Sequence, residues 1–305
     1  MRQKSDLLIL GASGFIGSAL ARHAQSLGFG YSCLRHRKRL PADLHPETVY
    51  LNSLLTFPWR RLESGPPRMI FHFARIPGSG PLGRSLAARM SAFANRRLLK
   101  WMERQPDPPL LILAAGTLAY GAGAEDAVME DHPLQPTGFA RHYAVGEQPI
   151  VAAMAASSLP IQIVRPAWVY GARSWLSGFY LLPMKMKGTV PLYGDGSNWM
   201  SLIHVEDAAG LMWHIARHGA QRQTYNLIGG EPVRQLQLVE ALESVSGLRR
   251  QSVRQKEMPF SDPAIWESLT FSQRTASKHL ALYQGYPYRH PRLQESLQAI
   301  WAHFS

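Results

Sequence analysis

Three glycines stand immediately after the first apolar run of the chain. Residues 6–10 form that run, the glycines are Gly11, Gly14 and Gly17, and a helix-forming stretch follows over 18–27. This order predicts a buried parallel strand, a sharp turn and a helix. Glycine lets the backbone approach a pyrophosphate, and a helix start offers free N–H groups and the positive end of its dipole. An ordinary glycine-rich turn is the alternative. We predict a dinucleotide-binding loop made of Gly11, Ser13, Gly14, Phe15, Ile16 and Gly17.

Strand-like and helix-like segments alternate through about the first 170 residues. We predict strands at 6–10, 31–34, 48–51, 69–73, 110–114 and 161–164, and helices at 18–27, 85–103 and 139–156, the last kinked by Pro149. This alternation implies right-handed crossovers, and therefore an α/β fold with a Rossmann-type doubly wound parallel sheet over 1–172. From 173 to 305 the periodicity breaks up, and Pro, Gly and Trp become frequent. We expect a smaller C-terminal substrate lobe there, with some segments returning to the sheet.

The composition excludes several classes of protein. The 305 residues are 46% hydrophobic and 18% charged, which is typical of a globular chain. The single cysteine, Cys33, excludes an internal disulfide, and the twelve histidines show no metal-ligand spacing. Apolar runs stay well below the roughly 18 residues of a membrane span, and the N-terminal run is too short for a signal peptide. We therefore expect a cytoplasmic protein with neither a membrane partner nor a metal.

Basic residues outnumber acidic ones, and they cluster where the second strand ends. The chain has 33 Lys and Arg against 21 Asp and Glu, a formal net charge of +12. The densest run, RHRKR, spans 35–39, and no carboxylate follows it until Asp43. A carboxylate here would bind the ribose hydroxyls of NAD(H), whereas arginine accommodates the 2′-phosphate of NADP(H). We therefore predict NADP(H), with NAD(H) as the other possibility, bound through Arg35, Arg37 and Lys38.

The same positive charge suits two other partners. Nucleic acid and anionic membrane surfaces also attract basic residues, and a looser basic cluster lies at 249–256. Neither cluster is accompanied by a zinc spacing, an RNA-binding signature or a basic heptad helix. Nucleic acid is therefore not the partner that the sequence indicates, although a solvated basic surface without any ligand remains an alternative. Binding to nucleic acid would show as an affinity that falls steeply with salt.

Seven short motifs stand in order along nearly the whole chain. They are GASGFIG at 11–17, FHFA at 71–74, YG at 120–121, RPAWVYG at 165–171, PLYGDG at 191–196, HVED at 204–207 and YNL at 225–227. Together they resemble the extended short-chain dehydrogenase/reductases, the nucleotide-sugar epimerase and dehydratase family. The resemblance implies a dinucleotide on the first lobe, a pocket for a small-molecule substrate shaped by the second, and a homodimer paired through helices 85–104 and 139–157. It adds these cofactor contacts: Asn52, Phe73, Ala74, Arg75, Ala115, Tyr143 and Pro166.

The resemblance also implies a catalytic set from which this chain departs. The family uses a Tyr and a Lys four residues apart on one helix, and a Ser or Thr just after the fifth strand. The Lys favours ionisation of the phenol and holds the nicotinamide ribose, while the Tyr exchanges a proton with the substrate oxygen as hydride moves. The matching segment, FARHYAVGEQ at 139–148, places Phe139 at the Tyr position and Tyr143 at the Lys position. A Phe cannot carry a proton.

Two other residues are candidates for the proton transfer. Shifting the alignment makes Tyr143 the acid, but it puts Glu147 at the Lys position, where a carboxylate opposes ionisation of a phenol. In the first alignment, where Tyr143 stands at the Lys position, it is a displaced proton donor, a ribose contact in place of Lys, or a structural residue. After the fifth strand the hydroxyl position holds Gly116, and Thr117 stands one residue further on. We name Tyr143 and Thr117 as the candidate catalytic residues.

A third departure concerns the substrate. In nucleotide-sugar enzymes of the family, a Gly-Asp-Gly motif is followed by an Arg that binds the diphosphate. Here the motif at 194–196 is followed by Trp199 and then Met200, whose thioether offers a diphosphate no charge-assisted hydrogen bond. We therefore expect a small, more apolar or aromatic metabolite, contacted by Trp168, Trp199 and Met200.

Two functions are compatible with these departures. The first is an NADP(H)-binding reductase or epimerase-like enzyme with a rearranged catalytic set, because hydride transfer itself depends mainly on the alignment of cofactor and substrate. The second is a catalytically inactive NADP(H)-binding sensor or scaffold that has kept the fold. Both functions are compatible with the loss of the family's catalytic residues and of its diphosphate-binding Arg. The sequence therefore leaves the two functions as alternatives.

Overall fold

The computed structural model describes residues 6–122, 126–258 and 262–304, and a parallel sheet of seven strands forms the centre of these ranges. The strands in chain order are β1 (Leu7–Leu10), β2 (Tyr31–Arg35), β3 (Thr48–Leu51), β4 (Met69–His72), β5 (Leu110–Ala114), β6 (Ile161–Pro166), β7 (Trp168–Tyr170), β8 (Thr189–Tyr193), β9 (Trp199–Met200), β10 (Leu202–His204), β11 (Gln223–Leu227), β12 (Val233–Arg234) and β13 (Arg249–Val253). The central sheet has the order β3-β2-β1-β4-β5-β6-β11, with every neighbouring pair parallel. The predicted Rossmann-type sheet is confirmed.

The structure contains the three helices predicted at 18–27, 85–103 and 139–156, together with further helices in the second half of the chain. In chain order they are α1 (Phe15–Ser26), α2 (Gly80–Met102), α3 (Gly138–Ala156), α4 (Leu182–Lys187), α5 (Val205–His218), α6 (Gln235–Ser246), α7 (Pro263–Thr270), α8 (Leu280–Tyr283) and α9 (Leu293–Phe304). Helix α2 starts five residues earlier than predicted, with Pro81 in its first turn, where a missing N–H costs no helical hydrogen bond. Helix α3 continues past the buried Pro149. No helix in the described ranges has the length and apolar character needed to span a membrane.

Alternate residues of β1 serve two separate cores. Leu7 and Ile9 belong to the apolar cluster that includes α1 and α5, whereas Leu8 and Leu10 belong to the cluster that includes α2 and α3. This division follows from the two-residue period of a strand, whose successive side chains point to opposite faces. All four side chains are buried, and burial of each stabilises the fold by about 2 kcal/mol. The sheet is thereby held between two helical layers.

The strand order reverses between β1 and β4. From β1 the chain builds outward through β2 and β3, and it then returns to place β4 on the other side of β1. In doubly wound sheets a crevice opens at the carboxyl ends of the strands on either side of such a reversal, and ligands bind there. The glycine loop follows β1 and the FHFA motif ends β4, so both lie at this point.

A third apolar cluster forms the core of a second lobe. It draws on β7–β9, α4, α6, α7 and α9, with Tyr180 and Leu181 fully buried at its centre. By contrast, α5 and β11 pack with the first sheet. The C-terminal segment is tied to α5 by Asp207, whose carboxylate accepts hydrogen bonds from the backbone N–H groups of Arg289 and His290 at 2.7 and 2.9 Å.

A buried polar bridge joins β4 to α2 and α3. Asn95 on α2 donates through Nδ2 to the carbonyl of Gly146 on α3 at 2.8 Å, and its Oδ1 lies 2.8 Å from Nε2 of His72. Since Oδ1 can only accept, Nε2 of His72 carries the proton of that bond. Burial lowers the pKa of His72 to about 4, which keeps the imidazole neutral. The bridge fixes α3, and with it Tyr143, relative to the end of β4.

This bridge predicts a loss of stability in mild acid. The pKa of His72 falls from an ordinary 6.5 to about 4 on folding, so the unfolded chain takes up a proton first as the pH drops. The contribution of His72 to stability is therefore complete above about pH 6.5 and is lost between pH 6.5 and 4, to a total of about 3 kcal/mol. Denaturant unfolding of the wild type and of His72→Gln between pH 6.5 and 4 measures this change in the free energy of unfolding. We expect a shallower pH dependence in the variant, and identical slopes would contradict the assignment.

Candidate active site

The glycine loop is packed too tightly for any other residue at two of its positions. Gly11 has a φ of +94°, which side-chain-bearing residues rarely adopt, and a Cβ there would lie 3.0 Å from the backbone nitrogen of Ala74. A Cβ on Gly17 would overlap the carbonyl oxygen of Gly11. The first turn of α1 therefore lies directly against the end of β1, and the backbone of Phe73 and Ala74 closes the other side.

The start of α1 presents an anion-binding surface. Gly14 is the N-cap, and the first hydrogen bond of the helix runs from the N–H of Ser18 to the carbonyl of Gly14 at 2.9 Å. The three N–H groups before it have no partner within the helix, and the first turn carries no acidic residue. These groups belong to Phe15, Ile16 and Gly17.

Basic side chains line the cavity beside this helix start. The cavity has a volume of about 520 Å³ and is lined by Ser13, Gly14 and Phe15 on one side and by Arg22, Lys38 and Arg39 on the other. Arg35, at the end of β2, is half-buried, and its buried Nε has no hydrogen-bond partner among the described residues. Arg37 is exposed. The net charge of this region suits a phosphate.

The first carboxylate after the basic run is already engaged. Asp43 accepts two hydrogen bonds from Arg22, at 2.5 and 3.2 Å, and this pairing lowers the pKa of its carboxyl. Asn52 follows β3, where its N–H donates to the carbonyl of Arg35 at 3.0 Å and its side chain accepts from Thr56 at 2.6 Å. The carboxylate of Asp43 is therefore already paired with a cation.

A second cavity continues from the first along the carboxyl edge of the sheet. It measures about 390 Å³ and shares Phe15 and Arg173 with the cavity at the helix start. We call it the central cleft. It brings together these predicted residues: Phe15, Ile16, Arg75, Ala115, Thr117, Tyr143, Pro166 and Trp168.

A third cavity, the α2–α3 chamber, opens on the other side of Tyr143. It measures about 380 Å³ and lies between α2, α3 and the ends of β4 and β5. Phe139 lines this chamber, where the guanidinium of Arg84 lies 5.2 Å from its ring centroid. Both cavities share a wall made of Arg75, Tyr143 and Glu147.

The shared wall is a charged cluster centred on a buried carboxylate. Glu147 lies 3.1 Å from Nη2 of Arg75 and 3.9 Å from Nη1 of Arg165, and its side chain is only 9% exposed. Burial raises the pKa of Glu147, while the two guanidinium groups oppose that rise. Arg75 also lies over the ring of Tyr143, with 4.0 Å between its Cζ and the ring centroid. With Arg165 behind the wall, the cluster holds two guanidinium groups and one carboxylate.

The residues around the missing catalytic hydroxyl leave space. Gly116 lies in the central cleft in extended backbone, and a Cβ there would meet nothing within 4 Å. Thr117 begins the next turn, is 2% exposed and also lines the cleft. Tyr120 is not a cleft residue, because its hydroxyl donates to Asn226 at 2.8 Å.

The structure separates the three predicted substrate residues. Trp168 lines the central cleft, packed edge to face against Trp175 at 4.9 Å. Trp199 instead lies between two guanidinium groups, those of Arg234 at 3.9 Å and Arg274 at 4.9 Å. Met200 is 1% exposed within the core of the second lobe, rather than on a cavity wall.

One group of possible metal ligands converges within the described residues. Ligand atoms of His204, Glu206 and His290 lie within 4.8 Å of one another at the start of α5. Two of the ring nitrogens already have hydrogen-bond partners. Nδ1 of His204 accepts from the backbone N–H of Glu206, and Nε2 of His290 lies 3.1 Å from the Glu206 carboxylate. None of the three lines the cavities described above.

The sequence did not indicate the pairing of Glu147 with Arg75 and Arg165, nor the two guanidinium groups around Trp199. Glu147 and Arg75 stand 72 positions apart, so no local pattern links them. The available signal was the position of each beside a motif: Arg75 follows FHFA, and Glu147 lies one helical turn after Tyr143. The two residues meet because the segment after β4 lies beside the middle of α3.

Comparison with known proteins agrees with this architecture. The dTDP-glucose 4,6-dehydratase of Streptomyces griseus is 25% identical over 261 residues, which cover 80% of this chain and 79% of that protein. The UDP-glucose 4-epimerase of Thermotoga maritima, solved with UDP-glucose, has a TM-score of 0.80 at 17% identity, with 98% of each chain covered. The UDP-glucuronic acid 4-epimerase of Bacillus cereus, solved with UDP-glucuronic acid and NAD, has a TM-score of 0.79 at 19% identity and the same coverage.

The structural likenesses establish the fold, and the family follows from the sequence. The model of the NAD-dependent epimerase/dehydratase family matches residues 7–227, which include the glycine loop, the central cleft and the sheet up to β11. This chain therefore belongs to the NAD-dependent epimerase/dehydratase family.

Proposed function

We propose that the protein binds a nicotinamide dinucleotide along the carboxyl edge of its sheet and catalyses reductase- or epimerase-like chemistry on a small molecule. The continuous path of cavities carries this proposal. It runs from the N–H groups of α1, through Phe15 and Arg173, to the wall formed by Arg75, Tyr143 and Glu147. A pyrophosphate at the helix start would extend one nucleotide toward β2 and the nicotinamide into the central cleft. Residues 1–172 would form the cofactor lobe and 173–305 the substrate lobe.

We infer that the cofactor is NADP(H) rather than NAD(H). The unpartnered Nε of Arg35, together with Arg37, Lys38 and Arg39, supplies cations where a 2′-phosphate would lie. Asp43, the first carboxylate after the basic run, is already paired with Arg22, which leaves it less able to bind the ribose hydroxyls of NAD(H). The Bacillus cereus epimerase was solved with NAD, so this preference would distinguish the present chain from that relative.

The proposed chemistry assigns the proton to Tyr143 or Thr117. Both line the central cleft, whereas Phe139 lines the α2–α3 chamber. When bound, the cofactor supplies or accepts the hydride. The protein has to align the substrate and provide a hydroxyl group, and the exposed phenol of Tyr143 can do both from the shared wall.

The cleft wall favours a substrate with apolar character. Trp168, Trp175 and Val169 contribute broad apolar surface, as expected for an aromatic or other apolar metabolite. A nucleoside-diphosphate sugar is the second candidate, because the guanidinium groups of Arg234 and Arg274 flank Trp199 next to the position where the sequence lacks an arginine. Nucleotide sugars are also what the names of the relatives specify.

Cofactor titration tests the nucleotide preference. We expect NADPH to bind about 10- to 100-fold more tightly than NADH, because charge-assisted hydrogen bonds to the 2′-phosphate add to the binding energy. Arg35→Ala and Arg37→Ala should reduce the affinity for NADPH while leaving that for NADH nearly unchanged. Calorimetric titration of each protein with each nucleotide measures this. Tighter binding of NADH by the wild type would contradict the preference.

Two substitution series separate an enzyme from a sensor. If the rearranged set is active, Tyr143→Phe should lower the turnover of any substrate that oxidises NADPH by about 10²–10⁴-fold. The family's catalytic set can be restored with Phe139→Tyr, Tyr143→Lys and Gly116→Ser, the last into open space. Assays with UDP-glucose and dTDP-glucose would follow NADPH formation. Activity gained by this triple variant where the wild type has none would indicate a catalytically inactive sensor or scaffold.

We also propose a homodimer paired through α2 and α3. Leu82, Leu86 and Phe93 share one face of α2 and are 88%, 61% and 54% exposed, and Val145 on α3 is 48% exposed. Large apolar side chains exposed along one helix face mark a candidate interaction surface. Pairing these helices between two copies would cover it.

Sedimentation velocity at micromolar concentration tests the dimer. We expect the wild type to sediment as a dimer and Leu86→Glu as a monomer, because the new charge would be buried in the interface. Leu280→Glu is the matched control, since Leu280 is 54% exposed on α8 and should leave the dimer intact. A monomeric wild type would refute the proposal.

A further inference from the structure

We propose that Arg75, held in place by Glu147, supplies the cation that α3 lacks at position 143, and that it binds the ribose on the nicotinamide side of the dinucleotide. The inference rests on the proposed function, since it requires a dinucleotide in the central cleft. It makes Arg75 a cofactor-positioning residue contributed by the segment after β4 rather than by the helix.

Three contacts, two from α3 and one from the segment after β5, fix the guanidinium of Arg75. Its Nη2 donates to Glu147 on α3 at 3.1 Å and to the carbonyl of Ala115, just after β5, at 3.2 Å. Its Cζ lies 4.0 Å from the ring centroid of Tyr143. The cation therefore lies over the side chain that occupies the lysine position of the family alignment. A guanidinium held on three sides loses little freedom when it binds a ligand.

The same guanidinium keeps donors available. Both of its hydrogen bonds use Nη2, so Nε and Nη1 have no partner in the described part of the chain. The side chain is 39% exposed and lines both the central cleft and the α2–α3 chamber. Neighbouring N–H groups of an arginine match two adjacent oxygen atoms. The vicinal hydroxyls of a ribose present such a pair.

The charges of the shared wall leave Arg75 a net cation. Among the described residues, Glu147 is the one carboxylate that pairs with Arg75. Arg165, whose side chain is 3% exposed, lies 3.9 Å from the same carboxylate. Two guanidinium groups thus share one carboxylate, and Arg165 in addition donates to the carbonyl of Gly116 at 3.1 Å. One carboxylate cannot neutralise two guanidinium groups, so the cluster carries a net positive charge beside the cleft.

The position of the cleft selects the cofactor over the substrate as the partner. The same cavity is lined by Phe15 and Ile16 from the anion-binding helix start, by Arg75, and by Pro166 at the end of β6. A dinucleotide anchored at α1 would pass these residues in turn. A carboxylate on the substrate would meet the same donors, and the experiment distinguishes the two.

The test compares a whole dinucleotide with its adenosine half. NADPH carries the nicotinamide ribose, whereas adenosine 2′,5′-bisphosphate lacks it, and NADH with ADP forms the corresponding pair without the 2′-phosphate. We expect Arg75→Ala to reduce the affinity for the dinucleotides by about 10- to 100-fold, because charge-assisted hydrogen bonds are lost. The affinity for the adenosine halves should stay within about twofold of the wild-type value. Arg75→Lys should restore part of the loss. Arg141→Ala, which removes an exposed cation from α3, is the matched control and should change neither.

The outcomes are distinct. Arg75→Ala could reduce the affinity for the dinucleotide and for the adenosine half equally. If this equal reduction persists when Glu147→Gln is added to remove the uncompensated carboxylate, the inference is overturned in favour of a structural role. Unchanged dinucleotide affinity in Arg75→Ala would also overturn it and would leave the substrate as the partner of Arg75. A wild type that binds none of the four nucleotides would instead refute the proposed function itself.

Discussion

A carboxylate buried between a sheet and a helix has to be compensated, and this requirement shapes the site. Glu147 is 7% exposed on α3, and leaving it without a partner would cost several kcal/mol. Arg165 from β6 and Arg75 from the segment after β4 provide that compensation. The consequence is a rigid link between two strands and one helix at the place where the cavities meet. Tyr143 lies one turn before Glu147, so the cluster also fixes where its ring can lie.

The first half of the fold could be predicted because its determinants are local. The apolar run of β1, the glycines after it and the start of α1 lie within twenty residues, and each has one sterically reasonable conformation. The alternation of strands and helices predicted a parallel, doubly wound sheet, which the structure confirms, whereas the order of its strands was not predicted. The second lobe was less predictable, because its strands are short and pair across the chain, as β8 does with β13. Short strands of this kind carry too little periodicity to identify.

The candidate site was predictable in its members but not in its connections. Thr117, Tyr143 and Arg75 were identified from their places in motifs, and the structure brings all three to one cleft. The partners of Glu147 and the buried position of Met200 could not be identified from the sequence, because both depend on contacts between distant segments. Met200 follows a Gly-Asp-Gly motif and so occupies a ligand-binding position in the alignment, yet the side chain of β9 turns into the apolar core. Sequence position indicates which residues are near a site, but the pleat of a strand determines which of them face it.

The departures from the family pattern are therefore better understood in space than along the sequence. A lysine and a tyrosine on one helix provide a cation and a hydroxyl at one end of a cleft. Here the hydroxyl remains on α3, one turn further along, and the cation approaches from β4. Gly116 and Phe139 leave open or apolar surface where the family's other hydroxyl groups would be. Two arginines against one buried acid leave positive charge at this point of the cleft, beside the side chain that occupies the lysine position of the family alignment. The proposed role of Arg75 is consistent with these electrostatics.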